Sequence, residues 1–325
     1  MTRIVRQPVF YPASVVFLDD STDFLHALRG IFSERHLTRF FTKPCAALRF
    51  ISSRRQAASA GGISGSDYKE LERKGGNALG RDLLTNDSRF EEVAAVVVDY
   101  EMPEMDGVEF LASIKDVPCT KILLTGKAGE AEAVDAFNAG LIDFYLKKSD
   151  ADMARKLAAV LADANQRHCA ERGQIGVHDV GSTYCDPRTV AVMNEIVDRE
   201  RIAEYYWRSE QDVVLMFDCA GNPSIFVAWN ESDWTFQCEV AADASGPSEL
   251  RTAMAARRIM PLFWPFQTYR PGMTNIRSAL PLPIPRWLGA FYSWTRLDSL
   301  ELGFDPVTSA RSRQIFFASE PSIFI

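Results

Sequence analysis

The run VVVDYEMPEMDG, residues 96–107, constrains this chain more than any other. An uninterrupted β-branched stretch reads as a strand buried on both faces, which is how strands of parallel sheets read. It ends abruptly on a carboxylate, Asp99, followed by a loop. Open α/β sheets keep their chemistry at the carboxyl ends of their strands. Two further apolar runs end in charge: SVVFLDD delivers Asp19 and Asp20, and LIDFYLKK delivers Lys147. Taken singly, each residue has an ordinary explanation: a solvated helix start for the acid pair, a surface lysine at the third strand. Three acids and a cation converging on one sheet edge are instead a set suited to a hard divalent ion and a phosphoryl group.

The segments alternate between strand and helix: strands at 15–20, 38–42, 94–99, 121–125 and 142–147, helices at 22–36, 45–54, 107–115, 129–139 and 150–171. This order implies a doubly wound parallel sheet of five strands, flavodoxin-like. The stretch between Asp20 and Asp99 exceeds the roughly 45–50 residues that two helices, two strands and short loops require. The surplus falls in 52–92, a Gly/Ser-rich and charged segment expected as a surface insertion, partly helical at SDYKELERK. It reads either as a tolerated insertion or as a docking loop.

Residues 14–165 resemble the receiver domain of two-component response regulators, read on Asp19-Asp20, Asp99, Met102-Pro103, Asp106-Gly107, Thr125 within KILLTG, Phe144 and Lys147. The resemblance implies that Asp99 is the phospho-acceptor. It implies Mg2+ held by Asp19, Asp20, Asp99 and the backbone carbonyl of Glu101. On the same resemblance Lys147 is expected to pair with the phosphoryl oxygens, Thr125 to be the switch hydroxyl and Phe144 the switch aromatic. A sensor histidine kinase or phosphotransfer protein is the implied donor, and a phosphorylation-dependent homodimer or an interdomain rearrangement the implied output step. Lys148 stands where the family has a proline.

The whole chain has 325 residues, too many for one receiver and enough for two cores. Its organisation is expected as an N-terminal extension 1–13, the receiver 14–165, a helical connector 166–173 and an α+β output domain 174–325. Hydrophobic content of 47% and charged content of 24% suit a soluble protein. No run reaches the ~18–20 apolar residues of a membrane span and the first residues lack a signal-peptide core, so the expected location is the cytoplasm. Six scattered cysteines without a CxxC pair indicate neither zinc nor a disulfide framework.

Beyond Gly173 all six tryptophans appear and every basic residue is arginine. Asp186-Pro187 starts a helix for RTVAVMNEIVDRERIAEYYWRSE, VVLMFDCAGNPSIFVAW reads as a hairpin, and TFQCEVAA as an added strand. SELRTAMAARR is a helix; YSWTRLD and RQIFFASE are late strands. Acidic residues outnumber basic ones and no helix-turn-helix is evident, so DNA binding is disfavoured. No nucleotide-loop, cyclase, phosphodiesterase or kinase signature is present, leaving enzymatic activity of this half open. Arg251, Arg257 and Arg258 beside Trp264 form a candidate anion site, with a solvated helix face as the plainer reading. Short patches, EYYW, MFDCAG and AFNAGLIDFYLKK, resemble the Lqs-type quorum-sensing response regulators. That resemblance implies an output module that does not bind DNA and is nucleotide-binding-like; apart from it, a module for a small anionic ligand or a protein partner is expected, with an enzyme switched by the receiver as the alternative.

Overall fold

The structure, a computed structural model, describes residues 4–6, 8–33, 37–61, 84–85, 87–126, 130–172, 174–176, 182–208 and 210–312. The described residues fall into two compact units, one within 11–64, 86–172 and 311–325, the other within 1–10, 65–85 and 173–310.

In chain order the strands are β1 (Ile4–Arg6), β2 (Val9–Phe10), β3 (Ser14–Leu18), β4 (Leu37–Phe41), β5 (Val93–Asp99), β6 (Thr120–Thr125), β7 (Phe144–Lys147) and β8 (Gln174–Gly176). The helices interleaved with them are α1 (Thr22–Phe32), α2 (Pro44–Gly61), α3 (Gly107–Ser113), α4 (Glu130–Asn138) and α5 (Met153–Arg172). The first unit is a five-stranded sheet in the order β4-β3-β5-β6-β7, parallel throughout. The strand period of two sorts its core. Val16, Leu18, Val96 and Val98 face Ala47, Ile51, Phe110, Leu111 and Ala133 of α2, α3 and α4. Val15, Phe17, Ala95 and Val97 face Leu25, Leu28, Phe32, Leu157 and Leu161 of α1 and α5. Both faces being covered, β5 is buried at all seven positions. Most of the 52–92 insertion lies outside the described residues; at its margins α2 runs to Gly61 and a short 3-10 turn occupies Asp87–Glu91.

The second unit contains α6 (Pro187–Arg199), β9 (Ile202–Arg208), β10 (Val213–Asp218), β11 (Pro223–Trp229), α7 (Glu231–Asp243), α8 (Ser248–Ala255), β12 (Met260–Leu262), β13 (Arg277–Ala279), β14 (Leu282–Pro283) and β15 (Phe291–Arg296). Its main sheet is antiparallel where paired, in the order β14-β15-β11-β10-β9-β2. Asp186 caps α6 as its sequence requires, accepting from the Arg188 N–H at 2.9 Å ahead of Pro187. The β10–β11 hairpin turns on Asp218, whose carboxylate accepts from the N–H groups of Ala220 and Asn222, with Gly221 at φ +86°.

Three expectations are corrected here. The helix from Pro187 ends at Arg199, and IAEYYWR is strand β9. Arg201 turns the chain at φ 54°, after which β-branched and aromatic residues sit better on a pleated surface than in a helix. TFQCEVAA belongs to helix α7, not to a strand. A capping box between Asn230 and Asp233 nucleates that helix just upstream. Val9–Phe10, expected only within an N-terminal extension, form the edge strand β2 against Tyr206 and Tyr205, with Phe10 stacked 5.8 Å from the Tyr205 ring. The late strand expected at RQIFFASE lies outside the described residues. YSWTRLD forms β15 as expected.

Candidate phosphoryl and metal site

The carboxyl ends of β3, β5 and β7 bring the charged residues together. Asp19 follows β3, its backbone N–H donating to the Phe41 carbonyl at 3.1 Å. Asp99 is the last residue of β5. Asp19 and Asp99 are buried and Asp20 is exposed, yet one oxygen from each lies within 4.8 Å of the others. Three hard oxygen donors, one open to solvent, match the needs of an ion that keeps part of its water shell, as Mg2+ does. Glu101 joins Asp20, Tyr100, Met102, Pro103 and Asp106 around a recess of about 420 Å³.

The loop after Asp99 is held tightly. Tyr100 donates its N–H to the Leu124 carbonyl at 2.8 Å, and Gly107 donates to the Tyr100 carbonyl at 3.0 Å. A Cβ at Gly107 would lie 2.3 Å from the Asp99 carbonyl oxygen and 2.7 Å from Leu123 Cδ1, so only glycine fits. Asp106 caps α3 reciprocally with Glu109. Together these contacts fix the backbone on either side of the acceptor carboxylate.

The cation of the site is Lys148, not Lys147. Lys148 Nζ lies 2.7 Å from Asp19 Oδ2 and 2.8 Å from Asp99 Oδ1. Lys147 is on the exposed side of β7. The reason is strand alternation: Phe144 and Leu146 pack against the α1/α5 core, so the next residue with that orientation is Lys148. The Lys148 backbone N–H donates to the Thr125 carbonyl at 2.8 Å, fixing this register at the strand end. The inward Phe144-x-Leu146 alternation is the sequence signal that distinguishes the two lysines.

The charges shape one another. Burial raises the pKa of Asp99 above 3.8; the hydrogen bond from Lys148 opposes this, while the charges of Asp19 and Asp20 add to it. Burial works against the charge of Lys148, but hydrogen bonds to Asp19 and Asp99 outweigh it and hold the ammonium above its ordinary pKa. A cation is thus retained beside a carboxylate that gains from further positive charge.

Thr125 ends β6 fully buried, and its hydroxyl finds no hydrogen-bond partner among the described residues. Phe144 lies on the core side of β7, with the Arg167 guanidinium 5.9 Å from its ring. Tyr145, on the opposite face of the strand, is 39% exposed.

In the second unit, the arginines expected at an anion site are engaged internally. Arg251 Nε donates to the Gly246 carbonyl at 2.9 Å. Arg257 pairs with Glu231 and lies over the rings of Trp234 and Phe291. Arg258 is exposed. The expected site therefore gives two of its three guanidinium groups to internal partners.

The response regulator receiver domain family matches residues 80–159. A CheY homologue of Campylobacter jejuni is 31% identical over 97 residues, which are 28% of this chain and 71% of that protein. A protein-glutamate methylesterase/protein-glutamine glutaminase of Treponema denticola is 30% identical over 111 residues, and the chain spans only 30% of its length. Among solved structures, the response regulator LqsR of Legionella pneumophila superposes with a TM-score of 0.67 at 26% identity, covering 97% of this chain and 96% of that one. With its parallel five-stranded sheet and its acids at the strand ends, the chain belongs to the response regulators and carries a CheY-like receiver domain.

Proposed function

We propose that this response regulator accepts a phosphoryl group on Asp99 from a sensor histidine kinase or phosphotransfer protein and passes the change to its antiparallel unit. The observation that carries the reading is the Lys148 ammonium held between Asp19 and Asp99. In the transfer, an Asp99 oxygen forms the new P–O bond as the donor's P–N bond breaks and its electron pair leaves with the imidazole. Lys148 follows the phosphoryl oxygens as a point charge, releasing part of its contact with Asp99. Asp19, Asp20 and Asp99, with the Glu101 carbonyl, would hold Mg2+. Bound there, Mg2+ supplies neutralisation of the phosphoryl oxygens. The buried Thr125 hydroxyl, without a hydrogen-bond partner among the described residues, is a donor awaiting an acceptor, and it turns to the new oxygens. The same one-residue shift that assigns the lysine role to Lys148 assigns the switch aromatic to Tyr145 in place of Phe144.

The output step is rearrangement or pairing of chains through the face of α4, β7 and α5. Val134, Phe137 and Tyr145, at 45%, 53% and 39% exposure, give that face its apolar character. The antiparallel unit acts as a binding module for a protein or a small ligand. Calorimetric Mg2+ titration tests the metal assignment: Asp19→Ala with Asp20→Ala abolishes binding. An unchanged titration would place the ion elsewhere.

A further inference from the structure

We propose that Phe24 is a positioning residue for phosphoryl transfer, its ring face holding the Lys148 ammonium where it spans Asp19 and Asp99. The inference rests on the reading of Asp99 as acceptor. Lys148 Nζ lies 4.7 Å from the centroid of the Phe24 ring, within the range of a cation–π contact. Phe24 is in the first turn of α1 and packs against the apolar cluster of β3, β5 and α5.

The position of the ring is set by the site itself. Asp19 Oδ1 accepts the Ser21 N–H at 2.9 Å, and Ser21 Oγ accepts the Phe24 N–H at 3.3 Å. Asp19 therefore contacts Lys148 directly and also fixes the helix start that carries the ring over Lys148. The contacts form a closed circuit: Asp19, Ser21, Phe24, Lys148 and back to Asp19.

A ring suits this position better than another acid. A lysine on four flexible methylenes must stay in place while its carboxylate partners change, because Asp99 becomes an acyl phosphate during the reaction. A carboxylate holding the ammonium would draw off charge and occupy its N–H donors. An aromatic face attracts the charge while leaving the N–H groups for a phosphoryl oxygen. Phe24 then keeps Lys148 aligned as the contact with Asp99 is exchanged for one with the phosphoryl group.

Three measurements on the full chain decide the matter. The first is the initial rate of mass gain from acetyl phosphate with Mg2+. Phe24→Leu, which keeps an apolar side chain but loses the π face, slows it about fivefold, and Phe24→Tyr stays within about twofold. The second is the chemical shift of the Lys148 ε-methylene protons. Ring current displaces it in the wild type and Phe24→Tyr, and it reverts in Phe24→Leu. The third is Phe24→Leu added to Lys148→Met, which costs nothing further. Leucine at the wild-type rate, equal losses for leucine and tyrosine, or a repeated fivefold loss in the Lys148→Met background would each overturn the proposal and mark Phe24 as core filler. A wild-type chain that gains no mass, with the ring-current shift present, would refute the acceptor reading and the kinetic role together.

Discussion

Lys148 Nζ and Asp99 Oδ1 stand 2.8 Å apart, and the same ammonium reaches Asp19 at 2.7 Å. Lys147, adjacent in sequence, is exposed on the other side of the strand. Lys148→Ala should therefore slow phosphoryl uptake from acetyl phosphate by about 100-fold, the usual loss when one preorganised charge-stabilising group is removed. Lys147→Ala should stay within about twofold. Initial rates by intact mass distinguish the two, and the opposite ranking would return the role to Lys147.

Gly107→Ala should destabilise the receiver by about 1–3 kcal/mol, since its Cβ meets a backbone oxygen and the Leu123 side chain. The same displacement moves the loop after Asp99, so the phosphorylation rate should fall with stability. Urea unfolding read alongside uptake checks both; an alanine variant of wild-type stability would show that the loop relaxes freely.

How much of this was legible in the sequence follows from what each residue packs against. Strand β5 could be read because a strand covered on both faces is apolar at nearly every position. Asp19, Asp20 and Asp99 could be read as a set, because each acid alone has an ordinary use and only their convergence at one sheet edge does not. The choice between two neighbouring lysines depended on one residue of register at the end of β7, settled by the Lys148 N–H bond to Thr125. IAEYYWR continued a helical pattern until Arg201 took a left-handed conformation. Strand β2 has two residues, too few for any periodicity, and exists through its pairing with β9.

Asp212 gives the antiparallel unit a pH dependence. Burial, with the nearby charge of Asp233, raises its carboxyl from 3.8 to about 7. A carboxyl raised on folding binds more protons in the native state, so its contribution to stability is present at low pH. It is lost as pH rises from the ordinary value through about 7. Asp212→Asn, neutral at every pH and tolerant of the φ of 52° found there, should unfold at a higher temperature than wild type at pH 8 and equally at pH 4. Thermal melts across this range test it, and parallel pH profiles would contradict it.

Beryllofluoride with Mg2+ should raise the fraction of paired chains if the α4, β7 and α5 face is the output surface. Phe137→Glu should remove that response and leave phosphoryl uptake intact, because the ring is 53% exposed on that face and is not among the residues gathered around Asp99. Sedimentation at several concentrations reads the effect. Identical monomer fractions with and without beryllofluoride would favour an intramolecular rearrangement as the output step.

Asp99 as acceptor is the claim on which the rest depends. Intact-mass analysis of the full chain after acetyl phosphate with Mg2+ tests it most directly. The wild type should gain one phosphoryl group, and Asp99→Asn, which keeps the size of the side chain and removes the carboxylate, should gain none. The same mass gain in Asp99→Asn would contradict the account.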